Sequence, residues 1–260
     1  LATRIVVGLT GITIVLAISW FGGLPFLLLG LAAALIGGYE FFWMAGIGGF
    51  HPLMIVGLLW IAALGLHAWS PAALPLDTIL VAGFLVTLTV SLWQADKPLH
   101  QFFATAAIAI YVGVMLSQTL SLRFLESGFW WLVLSFLISW GSDAFAYFAG
   151  VTFGRHHIWP RLSPKKTWEG TIAGVLGGAL VSVLFVWLSP LSISLWLALA
   201  VGLVGSILGF FGDLSISMVK RQVGVKDSGH FFPGHGGMLD RLDSVLFVAP
   251  FVYQVARLVS

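Results

Sequence analysis

The chain has 260 residues, of which 59% are hydrophobic and only 8% are Asp, Glu, Lys or Arg, against roughly 25% charged in a typical soluble domain. So few charges cannot clothe a water-facing surface of this size, which excludes a soluble globular domain and makes lipid the main solvent. The absence of cysteine excludes disulfides, thiol nucleophiles and Cys-ligated metals; with a formal charge of only +2, no nucleic-acid partner is expected and the placement of charge matters more than its sum.

Nine apolar runs read as membrane spans. The first, 5–21, is expected to be a span rather than a cleaved leader. Only Phe21-Gly22-Gly23 separates it from the second, 24–39, so a tight hairpin is expected. Runs at 52–69, 77–93 and 101–119 follow, with Pro52 and Pro75 at breaks where a helix starts or stops. These make an N-terminal part, 1–120, that is nearly mute chemically: Glu40 and Asp77 read as interfacial, and Arg123 with Glu126 just beyond as a surface pair. The C-terminal part, 121–260, holds a sixth run at 129–150, a polar loop at 151–169, a seventh run at 170–188, an eighth at 194–214 and a second polar loop at 215–243. A ninth run at 244–259 closes the chain. The expected fold is an all-α polytopic membrane protein of about nine transmembrane helices, forming one membrane-embedded unit.

With nine spans, ten of the twelve Lys and Arg residues fall on one side: Arg4, Lys97, Arg155, Arg161, Lys165, Lys166, Lys220, Arg221, Lys226 and Arg241. Only Arg123 and Arg257 fall on the other. Positive charge favours the cytoplasmic side, so the N-terminus and both polar loops are expected there, in a cell inner membrane.

The chemistry is expected between Asp143 and Asp243. The segment from Ser217 to Asp243 holds Lys220, Arg221, Lys226 and Arg241, which can neutralise phosphate. Its Pro233-Gly-His235-Gly236-Gly237 turn would let backbone N–H groups approach phosphate oxygens. Asp240 and Asp243, one helical turn apart, can share a face and hold a divalent cation. A positive-inside anchor would explain the cations but not the carboxylates. Asp213, Ser217 and Lys220/Arg221 recur on one helix face, and a carboxylate in an apolar helix is a functional candidate or a snorkelling residue. Asp143 shares a face with Tyr147; a substrate role and a helix-packing hydrogen bond both fit that spacing. Ser163-Pro-Lys165-Lys166-Thr167 precedes a helix whose N-terminus can bind an anion, and equally reads as a basic interfacial loop. A Cys-free, carboxylate- and cation-rich site suits Mg²⁺ and polyphosphate, and its place at the lipid interface points to a lipid substrate. A secondary transporter with Asp143 and Asp213 as a relay is a rival reading, but no internal repeat supports it.

The gapped pattern Ser217-x-apolar-Lys220-Arg221, Lys226-Asp227-x-Gly229, then Phe232-Pro-x-His235-Gly236-Gly237-apolar-x-Asp240-Arg241-apolar-Asp243 resembles the signature of the phosphatidate cytidylyltransferases, also called CDP-diacylglycerol synthases. The blocks Asp143-Ala-Phe-Ala-Tyr147 and Ser163-Pro-Lys-Lys-Thr-Trp-Glu-Gly170 are similar to other marked segments of that family, in the same order. The resemblance covers about residues 130–260. It implies Mg²⁺-dependent reaction of CTP with phosphatidic acid, with room for a monovalent cation such as K⁺ beside the Mg²⁺. It also implies Asp213 and Asp240 as metal ligands, and a homodimer. On that basis Lys220, Arg221, Lys226, Arg241, Lys165 and Lys166 are assigned to substrate phosphates. Asp143, Asp227 and Asp243 are assigned to tuning or orienting them, and His235 to donating to a phosphate oxygen.

Overall fold

The computed structural model describes residues 2–93, 96–232 and 236–259, and among them every regular element is a helix. In chain order these are α1 (Ala2–Phe21), α2 (Gly23–Ile47), α3 (Met54–His67), α4 (Leu76–Leu92) and α5 (Pro98–Arg123). They continue with α6 (Gly128–Phe153), α7 (Trp168–Leu188), α8 (Leu195–Gln222), the single turn α9 (Leu239–Leu242) and α10 (Val245–Val259). Five of the described helices, α2, α5, α6, α7 and α8, are long and apolar enough to cross a membrane. The apolar part of α1, with α3, α4 and α10, is shorter. At 1.5 Å per residue, α3 reaches only about 21 Å, less than a hydrocarbon core.

Two expected boundaries move by eight residues. α2 runs on to Ile47, so Glu40 lies inside a helix and is 5% exposed, rather than sitting at its interfacial end. α8 continues to Gln222, so Ser217, Lys220 and Arg221 are helical rather than part of a loop. In both cases the helix outlasts its apolar stretch, and hydropathy alone reports only the stretch.

The chain divides into two compact units. The first comprises residues 1–124 and 222–240, the second 125–221 and 241–260. In the first, α2, α3 and α5 pack closely through small residues. A side chain at Gly38 would meet Ile61, one at Gly57 would strike the Phe42 ring, and one at Gly113 would strike Leu64. The α1–α2 turn is as tight as expected: Gly22 and Gly23 both take positive φ, at 65° and 58°. Arg123, expected in a surface pair with Glu126, has long-range backbone partners. Its guanidinium donates to the Ser19 carbonyl (2.5 Å) and the Trp20 carbonyl (3.0 Å), closing the C-terminal end of α1, where a cation is favoured.

In the second unit α6, α7, α8 and α10 pack through glycine and serine. A Cβ at Gly174 would lie 2.9 Å from both the Ala146 side chain and the Ser142 carbonyl, so α7 rides almost backbone to backbone on α6. Gly202 does the same against Ala179, and the Ser182 hydroxyl donates to the Ala198 carbonyl at 2.7 Å, tying α7 to α8. α8 reaches α10 through Gly205 and Gly209, which face Val248.

Candidate functional site

In the second unit the close approach of α6 to α7 sets two polar features side by side. The first is the α6 face bearing Asp143 and Tyr147. The second is the connector from Gly154 to Thr167, which folds back on itself: Ile158 N–H donates to the Lys166 carbonyl (3.1 Å) and Trp168 N–H to the His156 carbonyl (2.9 Å). At its tip Lys166 N–H donates to the Ser163 carbonyl (3.2 Å), leaving Lys165 exposed. Glu169 pins the base of the connector, accepting from the N–H groups of Arg155 and His156 (3.2 Å each) and pairing with His156 Nδ1 at 2.6 Å. Buried Thr167 caps α7, its hydroxyl accepting from Gly170 N–H at 3.2 Å.

These parts enclose a cavity of about 740 Å³ lined by Asp143, Tyr147, Lys165, Lys166, Thr167 and Asp213, together with apolar residues including Val151 and Phe210. Lys166 Nζ lies 2.6 Å from Asp213 Oδ2 and 4.6 Å from the centre of the Phe210 ring. Ser217, one turn along α8, donates to Asp213 Oδ1 at 3.3 Å, so the predicted shared face is real. Arg221 donates to the Leu162 carbonyl at 3.3 Å and ties the end of α8 to the connector. Asp243 accepts from Ser244 N–H at 2.7 Å. Burial pushes its carboxyl up to about 7, the Asp213 and Asp143 charges add to that, and Lys220 opposes it. Arg241 is exposed on α9.

The rest of the predicted constellation lies in the first unit. Lys226 and Asp227 are exposed, and Gly236, Gly237 and Asp240 follow on the same segment. Asp213 and Asp240, the two expected metal ligands, therefore fall in different units. His235 lies outside the described residues, with Pro233 and Gly234. Asp240 Oδ2 accepts from Ser228 N–H (2.8 Å) and Gly237 N–H (3.0 Å) and lies 3.0 Å from the Ser228 hydroxyl. Glu40, which sequence reasoning set aside, accepts from the Ser228 hydroxyl (2.8 Å), Met238 N–H (2.8 Å) and Leu239 N–H (2.9 Å). The only sequence signal for it was a lone carboxylate in an apolar helix, which is costly without a partner.

The donors present suit a hard cation: oxygen ligands and no thiol. Among the described residues no three His, Asp or Glu side chains form a cage that could hold a metal unaided. A cation here would keep ligands from water and phosphate, as Mg²⁺ usually does.

Comparison with known proteins places these features in a family context. A family model described as the cytidylyltransferase family matches residues 2–259. The phosphatidate cytidylyltransferase of Bacillus subtilis (strain 168) is 33% identical over 264 residues, covering 99% of this chain and 98% of that protein. That of Brucella abortus biovar 1 (strain 9-941) is 35% identical over 269 residues, covering 97% and 92%. That of Staphylococcus epidermidis (strain ATCC 12228 / FDA PCI 1200) is 43% identical over 140 residues, covering 54% and 53%.

Proposed function

The chain belongs to the cytidylyltransferase family, and from that premise we propose that it transfers CMP from CTP to phosphatidic acid, giving CDP-diacylglycerol and pyrophosphate for phospholipid synthesis. It is a CTP-using nucleotidyltransferase embedded in a membrane by several apolar helices. The observation that carries the reading is the Lys166–Asp213 pair on the wall of a cavity whose lining is otherwise largely apolar. That wall offers a cation for phosphate and a carboxylate for a metal where a lipid headgroup can reach both. The near full-length likeness to proteins named phosphatidate cytidylyltransferase supports the choice of substrates.

The reaction asks for charge control more than for a base. A phosphate oxygen of phosphatidic acid attacks the α-phosphorus of CTP. The bond from that phosphorus to the bridging oxygen breaks, and pyrophosphate leaves with the electron pair. The nucleophile is already anionic, so the obstacle is bringing its phosphate against the three of CTP. Lys165 and Lys166 hold phosphate at the cavity, with Lys220, Arg221, Lys226 and Arg241 as the further cations. Asp213 and Asp240 would hold Mg²⁺, with K⁺ as a candidate second cation. Bound there, Mg²⁺ supplies charge neutralisation at the triphosphate and a template for the two substrates. Lys166, paired with Asp213, is shared between that carboxylate and an incoming phosphate. Asp143 and Asp243 orient these groups, and His235 donates to a phosphate oxygen. The ten-to-two distribution of Lys and Arg supports an active face toward the cytoplasm of an inner membrane, and family resemblance supports a homodimer.

The test is pyrophosphate release by the purified protein given CTP, phosphatidic acid and Mg²⁺. Release should require all three. Sealed inverted vesicles should accept CTP from outside, whereas right-side-out vesicles should not. Pyrophosphate release without phosphatidic acid, or none at all, would overturn the assignment; equal use of external CTP by both vesicle types would overturn the orientation.

A further inference from the structure

The first unit contains a carboxylate that the proposed reaction does not use. Glu40 lies within the apolar helix α2 and is 5% exposed, yet its carboxylate accepts hydrogen bonds from residues 188 to 199 positions away in sequence. Its Oε1 accepts from Met238 N–H at 2.8 Å, and its Oε2 accepts from Leu239 N–H at 2.9 Å and from the Ser228 hydroxyl at 2.8 Å. Leu239 opens α9, the turn that carries Asp240. Ser228 is fully buried and bridges the two carboxylates: its hydroxyl lies against Glu40 and Asp240, and its N–H donates to Asp240.

The glycines of this segment are explained by the same pair. A Cβ on Gly229 would collide with the Glu40 carboxylate, and one on Gly237 would fall on the Ser228 hydroxyl and both Glu40 oxygens. Gly236 takes φ 81°, and a Cβ there would sit 2.7 Å from Asp240 Oδ2. The segment therefore lacks side chains where two carboxylates must enter it. A buried carboxylate is retained only where donors converge on it. Here three donors do, and all three belong to the residues that hold or precede Asp240.

We propose that Glu40 is a positioning residue: it fixes Ser228 and the backbone entering α9, so that Asp240 is presented in a single orientation. This rests on the reading of Asp240 as a ligand of the reaction's cation. A glutamine at position 40 would turn an N–H₂ group toward an N–H or O–H donor, removing one acceptor while keeping size and shape. Aspartate would keep the charge but withdraw it by one methylene.

The experiment uses the full chain in detergent, as wild type and as Glu40→Gln, Glu40→Asp, Ser228→Ala and Asp240→Asn. Elution volume and thermal midpoint report folding. Three further measurements are the Mg²⁺ dependence of the initial rate, Mn²⁺ binding without substrates followed by electron paramagnetic resonance, and the rate of tryptic cleavage at Lys226. Folded Glu40→Gln should need at least ten-fold more Mg²⁺ for half-maximal rate, bind Mn²⁺ correspondingly more weakly, and be cut faster at Lys226; Glu40→Asp should fall between it and wild type. If Glu40→Gln does not fold, Ser228→Ala and Glu40→Asp decide by the same three measurements. Folded variants with Mg²⁺ requirement and Mn²⁺ binding within two-fold of wild type would overturn the proposal, even if their maximal rate fell. That result beside an inactive Asp240→Asn would sink only the role of Glu40. Normal activity and Mn²⁺ binding in Asp240→Asn would instead sink the reading of Asp240 on which it rests.

Discussion

Lys166 and Glu40 illustrate two ways a membrane protein keeps charge where apolar surroundings make it costly. Lys166 is half-buried, held by Asp213 at 2.6 Å and by the face of Phe210. The proposal that it holds phosphate predicts that Lys166→Met loses a charge-assisted contact of about 1.5–3 kcal/mol. That corresponds to about a ten- to hundred-fold fall in kcat/KM, measured for CTP and phosphatidic acid separately. An unchanged kcat/KM for both substrates would remove Lys166 from the site. Lys166 was legible because it sits in a compact run of polar residues beside a predicted span. Glu40 was not, because its partners Ser228, Met238 and Leu239 lie far along the chain and no local periodicity reports a contact at that range. The same blindness made Arg123 a surface residue in prospect, whereas it closes the end of α1 more than 100 residues earlier.

Among the elements, the decisive contact is that of α6 with α7, since it sets Asp143 and Tyr147 across the cavity from the Lys165–Lys166 connector. Gly174 permits that approach, and a side chain there has no room. Gly174→Leu is expected to cost about 1–3 kcal/mol through overpacking and to lower activity by prising the connector from α6. A thermal midpoint and turnover equal to wild type would show that the approach is dispensable. The helices themselves were largely readable, because long apolar stretches in lipid can satisfy their backbone only as helix. Their ends were less so: α8 carries eight residues beyond the expected boundary at 214, including Ser217, Lys220 and Arg221, where polar side chains hide a helix that continues. The i, i+4, i+7 spacing of Asp213, Ser217 and Lys220 had nonetheless placed them on one face, and the Ser217–Asp213 hydrogen bond bears that out.

At the scale of the whole molecule, a hydrophobic framework carries a small number of charges. In the proposed reaction the carboxylates hold a cation, the Lys and Arg side chains hold phosphate, and the apolar helices keep the enzyme at the membrane where its lipid substrate lies. The family was legible from gapped motifs confined to the C-terminal half, and the match over residues 2–259 extends it to the apolar N-terminal half. That half contributes Glu40, so its helices bear on the signature segment rather than serving as anchor alone. In the proposed reaction the bond broken lies between the α-phosphorus of CTP and the oxygen bridging it to the β-phosphorus, and the CMP fragment is joined to lipid. CTP labelled at the α-phosphorus, and separately at the γ-phosphorus, should be incubated with the protein, phosphatidic acid and Mg²⁺ and then extracted into organic solvent. The α-label should enter the lipid phase in proportion to pyrophosphate formed, with the γ-label remaining in water; γ-label in the lipid, or no α-label there, would contradict the account.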